Sequence, residues 1–245
     1  MAKTGRTLKL RDYHSARPAV RSAFVREMFN VVAPTYDFLT RMLSFGRDGA
    51  WKRLLVRGLP ERKRPRVLDL ACGTGDLTLA LARKYPFGTV TGLDWNAAML
   101  ARAASRRMPG NVSFVRRDMS RTRFRSAGFD LVTGGYALRN APDLAAMLKE
   151  IHRLLKPGGV GAFLDFSKSP GRFAQAVSLF ALRVWGGLWG VLLHGNPDIY
   201  AYIAESLQRF PDREALKRLV RETGFKRLSS MVLFFGFVEI NFFEK

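Results

Sequence analysis

Two hydrophobic periods alternate along this chain. Short apolar runs of strand length recur at 67–70, 89–94, 111–115, 129–133 and 160–165. Between them the apolar residues take a helical spacing. Leu77, Leu79, Ala80, Leu81 and Ala82 follow the first run, Met99, Leu100 and Ala103 lie within 96–107, and 144–155 is amphipathic. A continuous apolar run bounded by turn residues reads as a strand buried on both faces, and the wider spacing as one face of a helix. Regular alternation of the two predicts an α/β fold with a doubly wound, mainly parallel sheet. Pro86 and Gly88 punctuate the link to the second strand, and Lys156-Pro157-Gly158-Gly159 closes the helix before the fifth. A further helix over 212–223 stops at Gly224, and two apolar runs flank Gly236 within 225–245.

Both ends of this core carry additions. Residues 1–20 are basic and lack periodicity, which predicts a mobile arm. From Ser22, the residues Phe24, Val25, Met28, Phe29 and Val32 share one helix face until Pro34 breaks it. This helical region, running on through Trp51 to Leu55, precedes the first strand, so it can fold over the carboxyl ends of the strands as a lid. The alternative is a packing cap with no chemistry. The expected division is an arm and lid over 1–61 and a ligand-binding domain over 62–245, with a helical cap at 170–205. In that cap Phe173, Val177, Phe180, Val184 and Leu188 recur at helical spacing, and Trp185, Trp189, Val191, Leu192 and Leu193 add apolar bulk. Gln175, Ser178, Arg183 and Gly186-Gly187 interrupt it, against the roughly 20 mostly apolar residues that a membrane span needs. The segment therefore predicts a cap lining an apolar pocket, or an element that touches a bilayer interface with its tryptophans.

The chain is organised around 66–78. Val67, Leu68 and Leu70 form the first strand, which breaks into Cys72-Gly73-Thr74-Gly75 before a helix starts at Asp76. Two glycines one residue apart allow a tight turn and leave room for a ligand. Strand, glycine turn and helix start form the first crevice of a doubly wound sheet, where nucleotide-like ligands bind. The second strand ends in Asp94, at the offset where an acid accepts from ribose hydroxyls. The dinucleotide pattern needs glycine where Thr78 stands, and the phosphate-loop pattern is absent. A ligand with a ribose and no phosphate fits better and points to S-adenosylmethionine. Asp69 and Asp76 flank the turn and suit a ligand carrying an ammonium and a sulfonium. Asp69-Leu70-Ala71-Cys72-Gly73-Thr74-Gly75 resembles motif I of class I S-adenosylmethionine-dependent methyltransferases.

Composition adds a globular core, with 47% hydrophobic residues in 245, and a net charge of +21 from 41 Lys+Arg against 20 Asp+Glu. A single cysteine, Cys72, excludes an internal disulfide and a cysteine-rich zinc site. The first residues show no apolar signal core, which predicts a cytoplasmic protein. The positive charge favours an anionic partner, nucleic acid or a lipid surface, although its even spread along the chain is equally explained by composition alone. No basic-aromatic module or helix-turn-helix pattern supports nucleic acid.

Methyl transfer from a sulfonium is an in-line displacement needing positioning, exclusion of water and no metal. An aromatic carbon attacks well only after a neighbouring hydroxyl loses its proton, so a base or a held water is expected near the methyl group. Asp118, ending the third strand, is placed to meet the adenine amino group, or else is a strand-end turn residue. Gly135 and Tyr136 follow the fourth strand, where the donor's methionine portion is expected. Arg139 and Asn140 come next, on a loop facing the substrate. His14 and His152 have no motif around them and His152 reads as structural; His194, beside the apolar cap, is a substrate-site candidate.

Several segments together resemble the ubiquinone/menaquinone biosynthesis C-methyltransferase family. They are Tyr36-Asp37, 42–46 with Trp51-Lys52, 68–78, Leu138-Arg139-Asn140, 155–159, Phe166-Ser167-Lys168 and 202–206. The resemblance implies methylation of a ring carbon on a polyprenylated quinol. It implies cofactor positions at Asp69, Gly73, Thr74, Gly75, Asp94, Trp95, Asp118, Met119 and Gly135, and a catalytic group of Arg139, Asn140, Tyr36 and Asp37. It also implies an antiparallel hairpin at the end of the fold, an enzyme working at the membrane surface, and room for a homodimer. Departures fall at Glu239-Ile240-Asn241-Phe242, at Ser169 before Pro170, and at Gly134-Gly135-Tyr136-Ala137. They lie near the substrate end, so a phospholipid amine or a soluble aromatic stands as the other acceptor, and a nucleic-acid-binding protein on the same fold as the other class.

Overall fold

The sheet has seven strands: β1 (Arg66–Leu70), β2 (Thr89–Asp94), β3 (Val112–Arg116), β4 (Phe129–Gly135), β5 (Leu155–Phe166), β6 (Leu228–Leu233) and β7 (Val238–Glu244). These come from a computed structural model that describes residues 8–13, 18–169 and 171–245. The strand order is β3-β2-β1-β4-β5-β7-β6. The first five strands are parallel, and β7 enters antiparallel between β5 and β6. The expected doubly wound sheet and terminal hairpin are both present. Strand order reverses between β1 and β4, so the ligand crevice of such a sheet lies outside their carboxyl ends.

Strand alternation sends residues to two layers. Val67, Leu131, Ala162 and Leu164 pack with α4 (Asp48–Gly58) and α5 (Asp76–Lys84). Leu68, Leu70, Val132 and Phe163 pack with α7 (Leu144–Leu154) and α10 (Arg213–Glu222). Helix starts follow local capping chemistry. Asn96 accepts from Ala98 N and Met99 N at the head of α6 (Ala97–Ser105), Asp143 from Ala146 N before α7, and Asp212 from Ala215 N before α10. Such caps satisfy amides that the helix itself leaves unpaired.

A third apolar cluster joins the N-terminal helices to the cap. It comprises residues of α2 (Pro18–Val32), α3 (Tyr36–Leu43) and α9 (Asp198–Arg209), with Leu8, Tyr13 and Met99. The expectation of a mobile arm over 1–20 is corrected within the described residues. Leu10–Tyr13 forms one helical turn, α1, and both Leu8 and Tyr13 are buried. The cause is a long-range contact: Tyr13 meets Tyr202 edge-on at 4.7 Å. Residues 18–20 already belong to α2, and the rest of that arm, His14 included, lies outside the described residues. Strand β5 also starts earlier than its apolar run. Leu155 pairs with Phe129 and Val160 with Leu131, so Lys156–Gly159 loops out as an irregularity within one strand.

The segment after β5 has the helix that its spacing predicts, but not the expected orientation. α8 (Arg172–His194) is one unbroken helix through Gly186-Gly187. A Cβ on Gly186 would lie 2.9 Å from Tyr200 O, and one on Gly190 2.4 Å from Asn196 O. The glycines therefore let α8 pack closely against α9 and the turn before it. That turns the stripe Phe173, Val177, Phe180, Val184 and Leu188 outward, where all five are exposed.

Candidate active site

The chain leaves β1 through left-handed backbone at Ala71 (φ 50°), Gly73 (φ 54°) and Gly75 (φ 83°). A left-handed alanine is strained, and such strain collects at functional turns. Asp94, at the end of β2, pins this turn. Its Oδ2 accepts from Gly73 N at 2.8 Å and its Oδ1 from Asn96 N at 2.8 Å. Burial pushes its carboxyl up, opposed by these amides and that of Trp95. The ionised carboxylate still has lone-pair capacity for a ribose hydroxyl.

The other predicted cofactor residues divide into those that face the crevice and those that support it. Asp69 is fully buried and accepts from Thr78 Oγ1 at 2.6 Å and Thr133 Oγ1 at 2.9 Å. Burial raises its carboxyl to about 6. Gly75 supports the turn: a Cβ there would meet Met108 Cε at 2.8 Å and Ala103 Cβ at 3.2 Å, so its bare backbone serves packing on α6. Thr74 Oγ1 donates to Asp37 Oδ1 at 2.5 Å. Asp37 thus ties α3 to the glycine turn, and does not line the cavity beside Arg139. Trp95, Asp118 and Met119 line one side of a cavity of about 400 Å³. The Arg26 guanidinium lies 5.3 Å from the Trp95 ring centroid, and Asp118 Oδ1 accepts from Ser120 N at 2.7 Å. That is strand-end turn geometry, and the other Asp118 oxygen has no donor among the described residues.

Beyond β4 stands Tyr136, also left-handed at φ 59°. Its N donates to Leu164 O at 2.6 Å, and its hydroxyl to Asp48 Oδ1 at 2.8 Å. Asn140 is fixed at both ends. Its Nδ2 donates to Tyr136 O at 2.7 Å, and its Oδ1 accepts from Tyr202 Oη at 2.6 Å. Arg139 and Asp165 form a buried pair, each side chain 5% exposed. Arg139 N donates to Asp165 Oδ2 at 2.9 Å and Nε to Oδ1 at 3.3 Å, while Nη1 donates to Ser206 Oγ. Burial raises the Asp165 carboxyl, opposed by the adjacent Arg139 charge. Burial likewise holds Tyr36 at about 12 and pushes Tyr136 and Tyr202 up, so all three hydroxyls stay protonated near neutrality.

Three cavities meet at Tyr36 and Tyr136, which line all of them. One contains Gly73, Asp94, Trp95, Met119 and Gly135. A second contains Asp69, Thr74, Asp76 and Lys52. The third is apolar, lined by Phe29, Leu39, Leu43, Ile199 and Ile203, with Arg139 and Asn140 at one wall. The cap contributes to this wall through α9, not α8. His194 pairs with Tyr200 Oη at 2.7 Å and stays behind the cavity wall, and His152 packs edge-on against Phe225. Sequence reasoning gave no role to Asp165, Ser206, Tyr202, Asp48 or Lys52. Asp165 carried the one usable signal, a carboxylate ending an apolar strand beside the β4 loop.

The strand order, the glycine turn and the acid one strand over define an S-adenosylmethionine-dependent methyltransferase with a Rossmann-like fold. The sheet superposes on a crystal structure of a methyltransferase, possibly a histamine N-methyltransferase, from Thermotoga maritima. That match has TM-score 0.63 at 17% identity and covers 89% of this chain and 98% of the other. A phosphoethanolamine N-methyltransferase 2 of Haemonchus contortus, solved with S-adenosyl-L-methionine, gives TM-score 0.59 at 17% identity over 79% and 51% of the chains. The ubiE/COQ5 methyltransferase family matches residues 17–245, and the chain belongs to it. A demethylmenaquinone methyltransferase of Thermus thermophilus is 39% identical over 203 residues, 81% of this chain and 91% of the relative. The ubiquinone/menaquinone biosynthesis C-methyltransferase UbiE of Geobacter sulfurreducens is 35% identical over 227 residues, 90% and 88% of the two chains.

Proposed function

We propose that this chain methylates a ring carbon of a polyprenylated quinol. When bound, S-adenosylmethionine supplies a methyl group already activated on a sulfonium. Asp94 then accepts from the ribose, Trp95, Asp118 and Met119 flank the adenine, and the cavity beneath Gly73 and Gly135 takes the amino-acid end. A guanidinium offers N–H donors and no acceptor, so Arg139 serves as a donor and not as the base. Its two Nη2 hydrogens have no protein acceptor among the described residues, and they suit the negative charge that develops on a ring oxygen as the hydroxyl ionises. Asn140, held by Tyr202 and Tyr136 O, orients that hydroxyl. The apolar cavity measures about 70 Å³, room for a few waters and not for a substituted ring, so a ring enters as α3 or α9 moves outward.

The reading rests most on the buried Arg139–Asp165 pair standing between an apolar cavity and the donor crevice, in a chain of this family. Demethylmenaquinol, a prenylated methoxybenzoquinol and phosphatidylethanolamine, each offered with labelled donor, test it. Label entering one of the quinols is expected. Label in phosphatidylethanolamine alone, or in none of the three, refutes it.

The outward face of α8 supports work at a bilayer surface. Phe173 is 84% exposed, Phe180 70%, and Phe235 at the β6–β7 turn 91%. Phe45 stacks on Trp185 at 5.4 Å and joins Phe234 at 6.0 Å, linking the helix and the turn into one apolar face. Among the described residues, α8 is long and apolar enough to cross a membrane by length and composition. Its close packing on α9 favours lying on the surface instead. The helix holds no acidic residue, and the chain's +21 charge suits anionic lipid. Sedimentation with anionic vesicles at low salt is expected; a protein that stays in the supernatant, or that buries this face as a dimer, refutes surface binding.

A further inference from the structure

The sequence offered Asp69 and Asp76 for a cationic ligand and nothing for its carboxylate. A buried lysine stands where that anion would need a partner. Lys52 projects from α4 with 11% of its side chain exposed, and its Nζ lies 2.7 Å from Asp48 Oδ2 and 3.3 Å from Asp76 Oδ2. An ammonium has three N–H groups. Two face these carboxylates, and the third has no acceptor among the described residues. Burial alone would lower the Lys52 ammonium, but Asp48 and Asp76 outweigh it and keep the group charged.

The neighbours are arranged around this charge. Asp48 is held from behind by the Tyr136 hydroxyl at 2.8 Å. Asp76 is held from the far side by Arg106 Nη1 at 2.5 Å, and the same nitrogen donates to Thr74 O at 3.0 Å. Two acids and two bases leave the cluster neutral, so it has no net charge to repel a zwitterion. The cavity it borders, with Gly73 and Gly135 above, is about 20 Å³, room for a water and not for an amino-acid group. An amino-acid group enters only by parting the longer of the two Lys52 contacts, the one to Asp76.

We propose that Lys52 binds the α-carboxylate of the donor, and that the Lys52–Asp76 contact holds the place of the donor's amino-acid zwitterion. The carboxylate takes Lys52 while Asp48 keeps its 2.7 Å contact, and the α-ammonium takes the Asp76 oxygen that Lys52 releases. This rests on the donor placement given above and extends it to the charged end. It also makes Tyr136 the far member of a chain, Tyr136–Asp48–Lys52, that runs from the acceptor wall to the donor's carboxylate.

Calorimetric titration with S-adenosylhomocysteine and with 5′-methylthioadenosine, which lacks the amino-acid group, tests the proposal. Lys52→Met should weaken S-adenosylhomocysteine by about 10–100-fold, the range for one charge-assisted contact, and leave methylthioadenosine within about threefold. Lys52→Arg should recover part of the loss. Equal losses for both ligands, the mark of a damaged turn, overturn the proposal, as does no loss for either. If Lys52→Met does not fold, the wild-type protein decides. It should bind S-adenosylhomocysteine at least about tenfold better than its decarboxylated analogue, and equal affinities overturn the assignment. A wild type that binds none of these ligands overturns the donor placement itself, a result distinct from one in which both bind without discrimination by Lys52.

Discussion

Replacing Asp94 by alanine separates what this carboxylate does for the ligand from what it does for the fold. In the folded chain it accepts from Gly73 N and Asn96 N, each at 2.8 Å. Two ribose hydroxyls would add two more bonds to the same ionised group. A hydrogen bond to a charged partner contributes about 1.5–3 kcal/mol, so losing both costs about 3–6 kcal/mol of donor affinity. That corresponds to about 10²–10⁴-fold. Stability should fall less. The two amides lose their acceptor, but water can enter at this partly open turn and the burial of a charge is relieved, which leaves about 2 kcal/mol. For a chain of this size that lowers Tm by roughly 4–8 °C. Titration with S-adenosylhomocysteine and a thermal melt measure the two effects. An analogue lacking both ribose hydroxyls should bind variant and wild type alike. A folded variant that binds S-adenosylhomocysteine within threefold of wild type refutes the assignment of Asp94 to the ribose.

Other substitutions probe the acceptor wall, the buried charges and the surface. Arg139→Gln should lower turnover by at least about 100-fold, the scale for removing one preorganised oxyanion donor, with donor affinity within threefold; unchanged turnover removes it from the reaction. Asp165→Ala leaves the Arg139 cation buried and unpaired, and should cost about 3–5 kcal/mol in a urea titration; a loss below about 1 kcal/mol contradicts the pair. Asp69 has its carboxyl raised from 3.8 to about 6 in the folded state. The folded chain then holds the proton more tightly, and stability drains away as pH rises from about 4 to about 6, by at most about 3 kcal/mol. Asp69→Asn should therefore gain stability over wild type at pH 7.5 and not at pH 4, and an equal difference at both values refutes the shift. Phe180→Glu with Phe235→Glu should abolish vesicle sedimentation while leaving Tm within a few degrees, since both side chains are exposed.

Local signals in the sequence predicted the sheet well. Asn96 and Asp212 mark helix starts by their own side chains, and the runs at 67–70 and 89–94 need no distant partner to read as strands. Asp94 was placed by its offset from the glycines, and the fold carries it to Gly73. What escaped depends on contacts between residues far apart in the chain. Leu8 and Tyr13 look like part of a basic arm until they join the buried cluster of α2 and α9, with Tyr13 against Tyr202. Asp37 shares a motif with Tyr36, but one helical step turns it to Thr74. Lys52 pairs with Asp76, on a different helix. The direction of the α8 stripe follows from Gly186 and Gly190, whose close approach to Tyr200 and Asn196 exists only in the fold. Apolar spacing defines a face but not which way it looks.

That glycine seam has a practical corollary for anyone handling the protein. Because the inner contact of α8 is made by glycine backbone together with Leu179, Leu182, Trp189 and Leu193, the five side chains of its outer stripe take little part in holding the molecule together. The outer stripe can be rewritten with polar residues, one position or all five, while the hairpin with α9 remains intact. Fold and the proposed adhesion are thereby separable, and a water-loving version of the same catalyst can be made by editing one side of a single helix.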